Sequence, residues 1–519
     1  MGFTDLNNGN NASTAFDGSS KVTIVNPTVG FGGIQVQELK PVAQADFVYG
    51  INSVIFQSAS FAGSSISAAN GMCEISSGTE ISGSAVLAIR RGVKYRPGQG
   101  SLMRGTAIFD NPCEDNEQLI GLHNEETGYS WGYSGTQFGI MHKETGQRQI
   151  KKLQITSAAI DGDSISITLD DEVKTFTIAI QGTTSVYQTA YKISLQDFTN
   201  IGNTGYYTDV VGDSVYFISG RCNSTLTGAF SISGGSVGGT FSTILEGVEL
   251  TQTFIPTGSF NIDRLDGSGP SGMIINPQMG NVYEIDFQYL GFGNARFAVE
   301  DPLTGKFTDC HMIRNANSRT TPVLKNPNVQ VRLECSNNGS TTSKTLKSAS
   351  MAGYVAGDVS KLDPKFAKSF TFSDLKSTSY TPLALIKANR VHRDQSCFGE
   401  FDILRLAGSN ETASKTLTIG FFYDAEVTGT VNYTYVDDVI SIVSVAEFNP
   451  GGVTPVNGIS NLASIEPFHE IIVGSESGTS EDLDSLEFIF SPGLPLLVAV
   501  KVTSGPVSGA VSINWFEQQ

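Results

Sequence analysis

A chain of 519 residues is too long for one hydrophobic core and implies two to four domains. Only 16% of residues are charged while 39% are hydrophobic, which excludes an intrinsically disordered chain and suits a β-rich, turn-dense one. A net charge of −18 excludes a general nucleic-acid or anionic-membrane binder, whose affinity rests on Lys and Arg against phosphate.

Residues 1–20 are polar and Asn/Ser-rich and are expected to form a flexible tail or an anchor that orders on assembly. Short strand-like pieces follow at 22–25 and 53–56, and residues 84–155 form a run of closely spaced strands bounded by Gly, Asn and Asp. Within that run Tyr129, Trp131 and Tyr133 share one strand parity and therefore one face. An exposed aromatic face stacks on sugar rings and a buried one is core, so these three are the candidate carbohydrate-binding residues with core as the competing reading. Residues 156–250 are expected to be a separate α+β insert of ββαββ order. It has a hairpin of 164–169 and 174–178 turning at Asp170-Asp171, and a helix over 186–198 with Tyr187, Ala190, Tyr191, Ser194 and Phe198 at three- and four-residue spacing. Strands at 215–218 and 228–232 complete it.

Long strands return over 251–355, at 282–290, 295–301 and 329–335. The simplest account joins 21–155 and 251–355 into one sandwich, with 156–250 inserted at a loop tip. A linker is expected at 356–368, and 369–519 form a second all-β domain with strands at 416–422, 432–436, 439–445, 486–490, 496–502 and 510–515. The expected fold class is mainly β: two antiparallel, jelly-roll-like β-sandwich domains, the first split by the small α+β insert.

Chemical machinery is sparse. Retaining glycoside hydrolysis on a concanavalin-like sandwich needs paired carboxylates about 5 Å apart, carried by Glu-x-Asp followed by a second Glu. Glu284-Ile285-Asp286 begins that pattern, but Gln288 and Tyr289 stand where the second Glu belongs. Gly234-Gly235-Ser236-Val237-Gly238 matches G-x-S-x-G between two β-like segments, not between a strand and a helix. Gly267-Ser268-Gly269-Pro270-Ser271-Gly272 matches G-x-G-x-x-G without a βαβ unit. Five scattered His and six Cys without C-x-x-C spacing predict neither structural zinc nor a disulfide framework. Asp161, Asp163, Asp170 and Asp171 are read as turn acids before calcium ligands. Arg90, Arg91, Lys94, Arg96 and Arg104 are the strongest basic cluster, read as a solvated strand face. No catalytic residue, metal or cofactor is therefore expected. The polar N-terminus shows no secretory signal, and no apolar run reaches membrane-spanning length.

Tyr95-Arg96-Pro97-Gly98-Gln99-Gly100 and Gly132-Tyr133-Ser134-Gly135-Thr136-Gln137-Phe138-Gly139-Ile140 resemble a module in virion proteins of large algal DNA viruses and some tailed phages. Tyr289-Leu290-Gly291-Phe292-Gly293, Glu300-Asp301-Pro302 and Thr304-Gly305-Lys306-Phe307 are similar to a later part of that module. Pro492-Gly493, Val498-Ala499, Thr503 and Trp515-Phe516-Glu517 resemble the last strands of β-sandwich heads on viral fibres. The resemblance implies a non-enzymatic virion structural protein (a spike, fibre or minor capsid component), made in the host cytoplasm. It implies a homo-oligomer, a trimer by analogy with viral spikes, that contacts other capsid proteins and host cell-surface glycans, with no nucleic-acid partner and no membrane insertion. The alternatives are a lectin-like adhesin and a glycoside hydrolase-like protein with an incomplete motif.

Overall fold

A computed structural model describes residues 38–180, 184–202, 204–357, 364–423, 425–451, 457–483 and 488–518. The expected tail at 1–20 and strand at 22–25 lie outside the described residues. The chain is mainly β, and its strands build two antiparallel sandwiches.

In the first sandwich one sheet runs in the order Leu39–Asp46, Ser350–Ala356, Gly100–Ala107, Asn281–Phe287, Ala295–Glu300, Phe307–Ile313. The facing sheet contains Phe56–Phe61, Ser84–Ile89, Gln330–Asn337, Asn116–His123, Gly128–Ser134 and Gln137–Ser157 as successive neighbours. Period-two alternation explains the pairing of faces. Along Gln330–Asn337, Val331, Leu333 and Cys335 enter the core, while Arg332, Glu334 and Ser336 point away from it. One core joins residues from Ala43 to Val355, so segments on both sides of the insert close a single hydrophobic layer.

The insert departs from the expected loop-tip graft. The strand Gln137–Ser157 is 21 residues long and crosses the expected junction at 155/156 without a break. Its first part pairs with Gly128–Ser134 and Val248–Pro256, and its second part with Ser214–Cys222 and Gly238–Leu245. The insert therefore extends the sandwich sheet. Its hairpin pairs Ser164–Leu169 with Glu172–Thr177, and Asp170 and Asp171 both adopt positive φ (53° and 70°) as a tight turn of this kind requires. The helix is Val186–Ser194, capped by the Ser185 hydroxyl, which accepts from the Gln188 N–H at 3.1 Å. It stops before the expected residue 198. The Ser194 hydroxyl donates to the Tyr191 carbonyl, and Phe198 forms a bridge with Tyr206 outside the helix. Phe198 fits the helical spacing because it is buried on the same side.

The second sandwich packs a sheet of Lys365–Leu375, Val507–Gln518, Glu400–Asn410 and Ser477–Asp482 on one containing Val443–Glu447, Thr381–Ala388, Leu496–Val502, Leu417–Tyr423 and His469–Val473. The central strands of the latter sheet are buried on both faces, which is why all eight residues of Thr381–Ala388 are buried. Its inner face meets Trp515, Phe401 and Ile403. Its outer face, with Leu385, Phe422 and Leu497, packs against Ala190, Tyr191 and Phe217 of the insert. The insert is thus wedged between the two sandwiches. Asp209 of the insert pairs with Lys387 and accepts the backbone N–H groups of Arg390 (2.7 Å) and Val391 (3.3 Å).

All six cysteines are free thiols. Among the described residues no helix is long and apolar enough to cross a membrane.

Candidate functional site

Tyr129, Trp131 and Tyr133 do share a face, but it is the core face: they are 1%, 0% and 7% exposed. Trp131 stacks on Phe138 with ring centroids 6.1 Å apart, meets Phe260 and Phe297 edge-on, and donates its indole N–H to the Glu284 carbonyl at 3.2 Å. No ring surface is left for a sugar, and the carbohydrate-stacking assignment of these three residues is corrected to core.

The remaining sequence candidates are dispersed. The Glu284 carboxylate lies on the outer face of the first sheet, clamped by Arg104 Nε (2.7 Å) and Arg296 NH2 (2.8 Å). Ser236 sits in a turn, its hydroxyl donating to Asp163 at 2.8 Å and to the Ala158 carbonyl. Asp171 accepts the Ala229 N–H, and no group of metal-ligating side chains forms among the described residues. The basic cluster is split: Arg104 joins Glu284, while Lys94 reaches the Phe398 carbonyl of the second sandwich.

What the fold assembles instead is a cleft of about 1030 Å³ between the outer face of the second sheet and the insert. Arg332, Glu334 and Ser336 from one strand and Glu117 from its neighbour form its floor, with Glu117 opposite Ser336 in register. Lys143 and Gln252 close one side, and residues 220–228 of the insert, the end of strand Ser214–Cys222 and the loop after it, form the roof. Lys143 reaches Glu334 across two intervening strands, with Nζ 3.0 Å from Oε2. The first of these two strands, Gly128–Ser134, makes this reach feasible. In Gly128-Tyr129-Ser130-Trp131-Gly132-Tyr133-Ser134 the aromatic parity fills the core, leaving only Gly and Ser on the cleft side. A Cβ at Gly132 would stand 1.8 Å from the Gln118 carbonyl oxygen, so this face stays flat.

The floor is a charge network taken out of water. Arg332 bridges Glu125 (2.9 Å) and Glu334 (3.3 Å). Burial opposes the charge on Glu334, but Lys143 and Arg332 outweigh it and hold the carboxylate well below the usual range. Burial likewise opposes ionisation of Glu125, yet Arg332 and Arg148 bring its pKa down to about 2. Burial pushes Glu117 the other way: its pKa is raised, with Lys143 opposing and Glu334 adding to the rise. His123, fully buried beside this network with Nδ1 3.8 Å from Glu334, has its pKa driven well down by desolvation and by Lys143.

A pH consequence follows for Glu125. Its folded pKa lies below the ordinary glutamate value, so its contribution is fully present above that value and is lost as pH falls toward about 2. Acid titration from about pH 5 to pH 2 is expected to remove about 3 kcal/mol through this group. Urea midpoints across that range check this. In Glu125→Gln that part of the loss disappears, whereas an unchanged slope would assign the acid sensitivity elsewhere.

Glu117, Lys143, Arg332 and Glu334 escaped the sequence reading. Their signal was an outward strand parity carrying charge, which usually means a solvated face. Their burial is set by residues of the insert far away in the chain.

No protein-family model and no curated protein matches this sequence. Among solved structures, the carbohydrate recognition domain of Emp47p is similar at 11% identity over 62% of this chain and 97% of that domain, with a TM-score of 0.22. Peanut lectin, crystallised with a nine-residue peptide, is similar at 9% identity over 61% of this chain and 99% of its own, TM-score 0.22. The exoplasmic/lumenal domain of VIP36 in a Ca²⁺/Man2-bound form is similar at 9% identity over 63% and 92%, TM-score 0.23.

Proposed function

We propose that this protein binds a saccharide in the cleft between the sandwich sheet and the insert, without turning it over, as a surface component of a virion. The observation that carries the binding reading is the composition of the cleft. Small-molecule sites are mostly apolar with a few placed polar groups, whereas this one offers carboxylates, guanidinium groups, amides and hydroxyls together. A hydroxylated ligand that both donates and accepts at every carbon suits that lining. Phe61 and Tyr207 add aromatic surface at its edge. A phosphate-bearing ligand is disfavoured by the acidic side chains.

Binding is favoured over hydrolysis because Glu334 is committed to two cations. A carboxylate engaged by two cations is a weak base, so Glu117 lacks the basic partner that inverting hydrolysis needs. The virion setting rests on sequence resemblance alone, carried by Tyr95–Gly100 and Gly132–Ile140 together with the later motifs at 289–307 and 492–517. In that setting a homo-oligomer presenting several clefts to one cell surface would gain avidity without any new contact.

Titrating the full-length chain against a panel of neutral and charged oligosaccharides tests the reading. Thr227→Trp places a ring at the exposed rim of the cleft and removes no buried charge. It is expected to weaken binding by about tenfold or more, equivalent to about 1.4 kcal/mol, with the thermal midpoint unchanged. Binding that survives this block would move the site elsewhere, and failure of every oligosaccharide to bind would end the saccharide assignment. Antibodies to the chain labelling intact particles would support the virion setting, and absence of the chain from purified particles would remove it.

A further inference from the structure

The cleft holds more acid than base, and the excess is unevenly placed. Lys143 and Arg332 are consumed by Glu334 and Glu125 on the floor. Glu117 stands outside these pairs. It is 9% exposed, its Oε1 accepts from Gln252 Nε2 at 3.3 Å, and among the described residues it makes no ion pair. Across the cleft Glu249 accepts the Ser224 hydroxyl at 2.6 Å and Asp171 accepts the Ala229 N–H at 2.8 Å, both neutral donors. Among the described residues lining that side the cation is Arg221, which turns its guanidinium to the Ser82 carbonyl (2.9 Å) and toward the Phe61 ring.

A second, independent feature points to an oxygen-bearing ligand. Arg332 is 3% exposed and lines the cleft, yet its Nε–H has no hydrogen-bond partner among the described residues. An unmet buried donor is costly, and its natural partner is an acceptor supplied from the cleft. The ligand therefore has to bring a cation for Glu117 and an oxygen for Arg332. A neutral sugar supplies only the second and a linear polyamine only the first.

Building on the saccharide reading above, we infer that the cleft selects an amino sugar with a free amine, its ammonium set against Glu117 and a hydroxyl oxygen accepting from Arg332 Nε. The groups facing Glu117 are Lys143, Glu334, Gln252 and Asn338, with Arg221 on the roof. Burial keeps Glu117 protonated to higher pH than an ordinary carboxyl. An arriving ammonium favours the carboxylate, so binding expels a proton wherever Glu117 was protonated, and affinity rises with pH through that window.

Calorimetry on the full-length chain tests this with three probes of equal length: a glucosamine oligosaccharide, its N-acetylated counterpart and a glucose oligosaccharide. The free-amine probe is expected to bind about tenfold or more tightly than the other two, with affinity rising with pH where Glu117 titrates and heats in buffers of different ionisation enthalpy reporting proton release in that window. Glu117→Gln should bring the free-amine affinity down to that of the N-acetylated probe and abolish the proton release, with its thermal midpoint recorded alongside. Equal binding of all three probes would overturn this inference and leave the saccharide reading standing, whereas no binding of any would overturn both. A linear polyamine bound as tightly as the amino sugar would also overturn it, because it has no oxygen for Arg332.

Discussion

Trp131→Ala is expected to destabilise the first sandwich by about 4 kcal/mol, in the range for deleting a large aromatic from a packed core. Trp131 is fully buried, and Phe138, Phe260, Tyr283 and Phe297 all pack on its ring. Removing the ring strips these neighbours of contact at once, and the strands that carry Phe138, Tyr283 and Phe297 are hydrogen-bonded too firmly to collapse into the void. Domains of this kind hold a margin of about 5–15 kcal/mol, so the loss is a large part of the whole. Urea unfolding followed by tyrosine fluorescence or circular dichroism measures it. A variant with an unshifted midpoint and lost saccharide binding would return Trp131 to the surface role that its sequence pattern also allowed. Trp131→Phe, which keeps a ring in place, should leave saccharide affinity unchanged.

Asp209→Ala should be nearly as damaging, by about 3–5 kcal/mol, through a different mechanism. Its carboxylate is the shared acceptor for Lys387 and for the N–H groups of Arg390 and Val391, all at the seam between insert and second sandwich. Deleting it leaves two backbone donors without their acceptor and the buried Lys387 ammonium without its counter-charge, beside the Tyr433 ring at 4.8 Å. Lys387→Met removes the complementary charge and supplies an apolar stem of similar length. Combined with Asp209→Asn, which keeps an acceptor for the backbone donors, it should recover most of the stability lost in either single variant. A double-mutant cycle on unfolding free energies reads the coupling directly. Strict additivity would mean that the seam is held by the Tyr191 and Phe422 cluster and that the ion pair contributes nothing.

The strand content and the two-sandwich class were legible because period-two alternation needs only local sequence. Val331, Leu333 and Cys335 on one parity and Arg332, Glu334 and Ser336 on the other specify a strand and its core face. The same pattern hides the cleft. Alternation distinguishes two faces but does not say what lies over the second, and here the cover comes from residues 220–228 of the insert. Thr381–Ala388 shows the converse: with both faces buried there is no alternation, so its place in the sheet was not visible. The aromatic cluster was ambiguous for a related reason, since its parity fixes shared direction and not depth. The long strand defeated the expected domain boundary because hydrogen-bonded continuity through 155/156 leaves no Gly or Pro punctuation.

That strand, Gln137–Ser157, also sets how the molecule would carry a mechanical load. At roughly 3.3 Å per residue it is about 70 Å long, and its cross-strand hydrogen bonds lie perpendicular to its axis. Tension along it loads these bonds in shear, so those in the sandwich half and the insert half must give way together instead of peeling singly from one end.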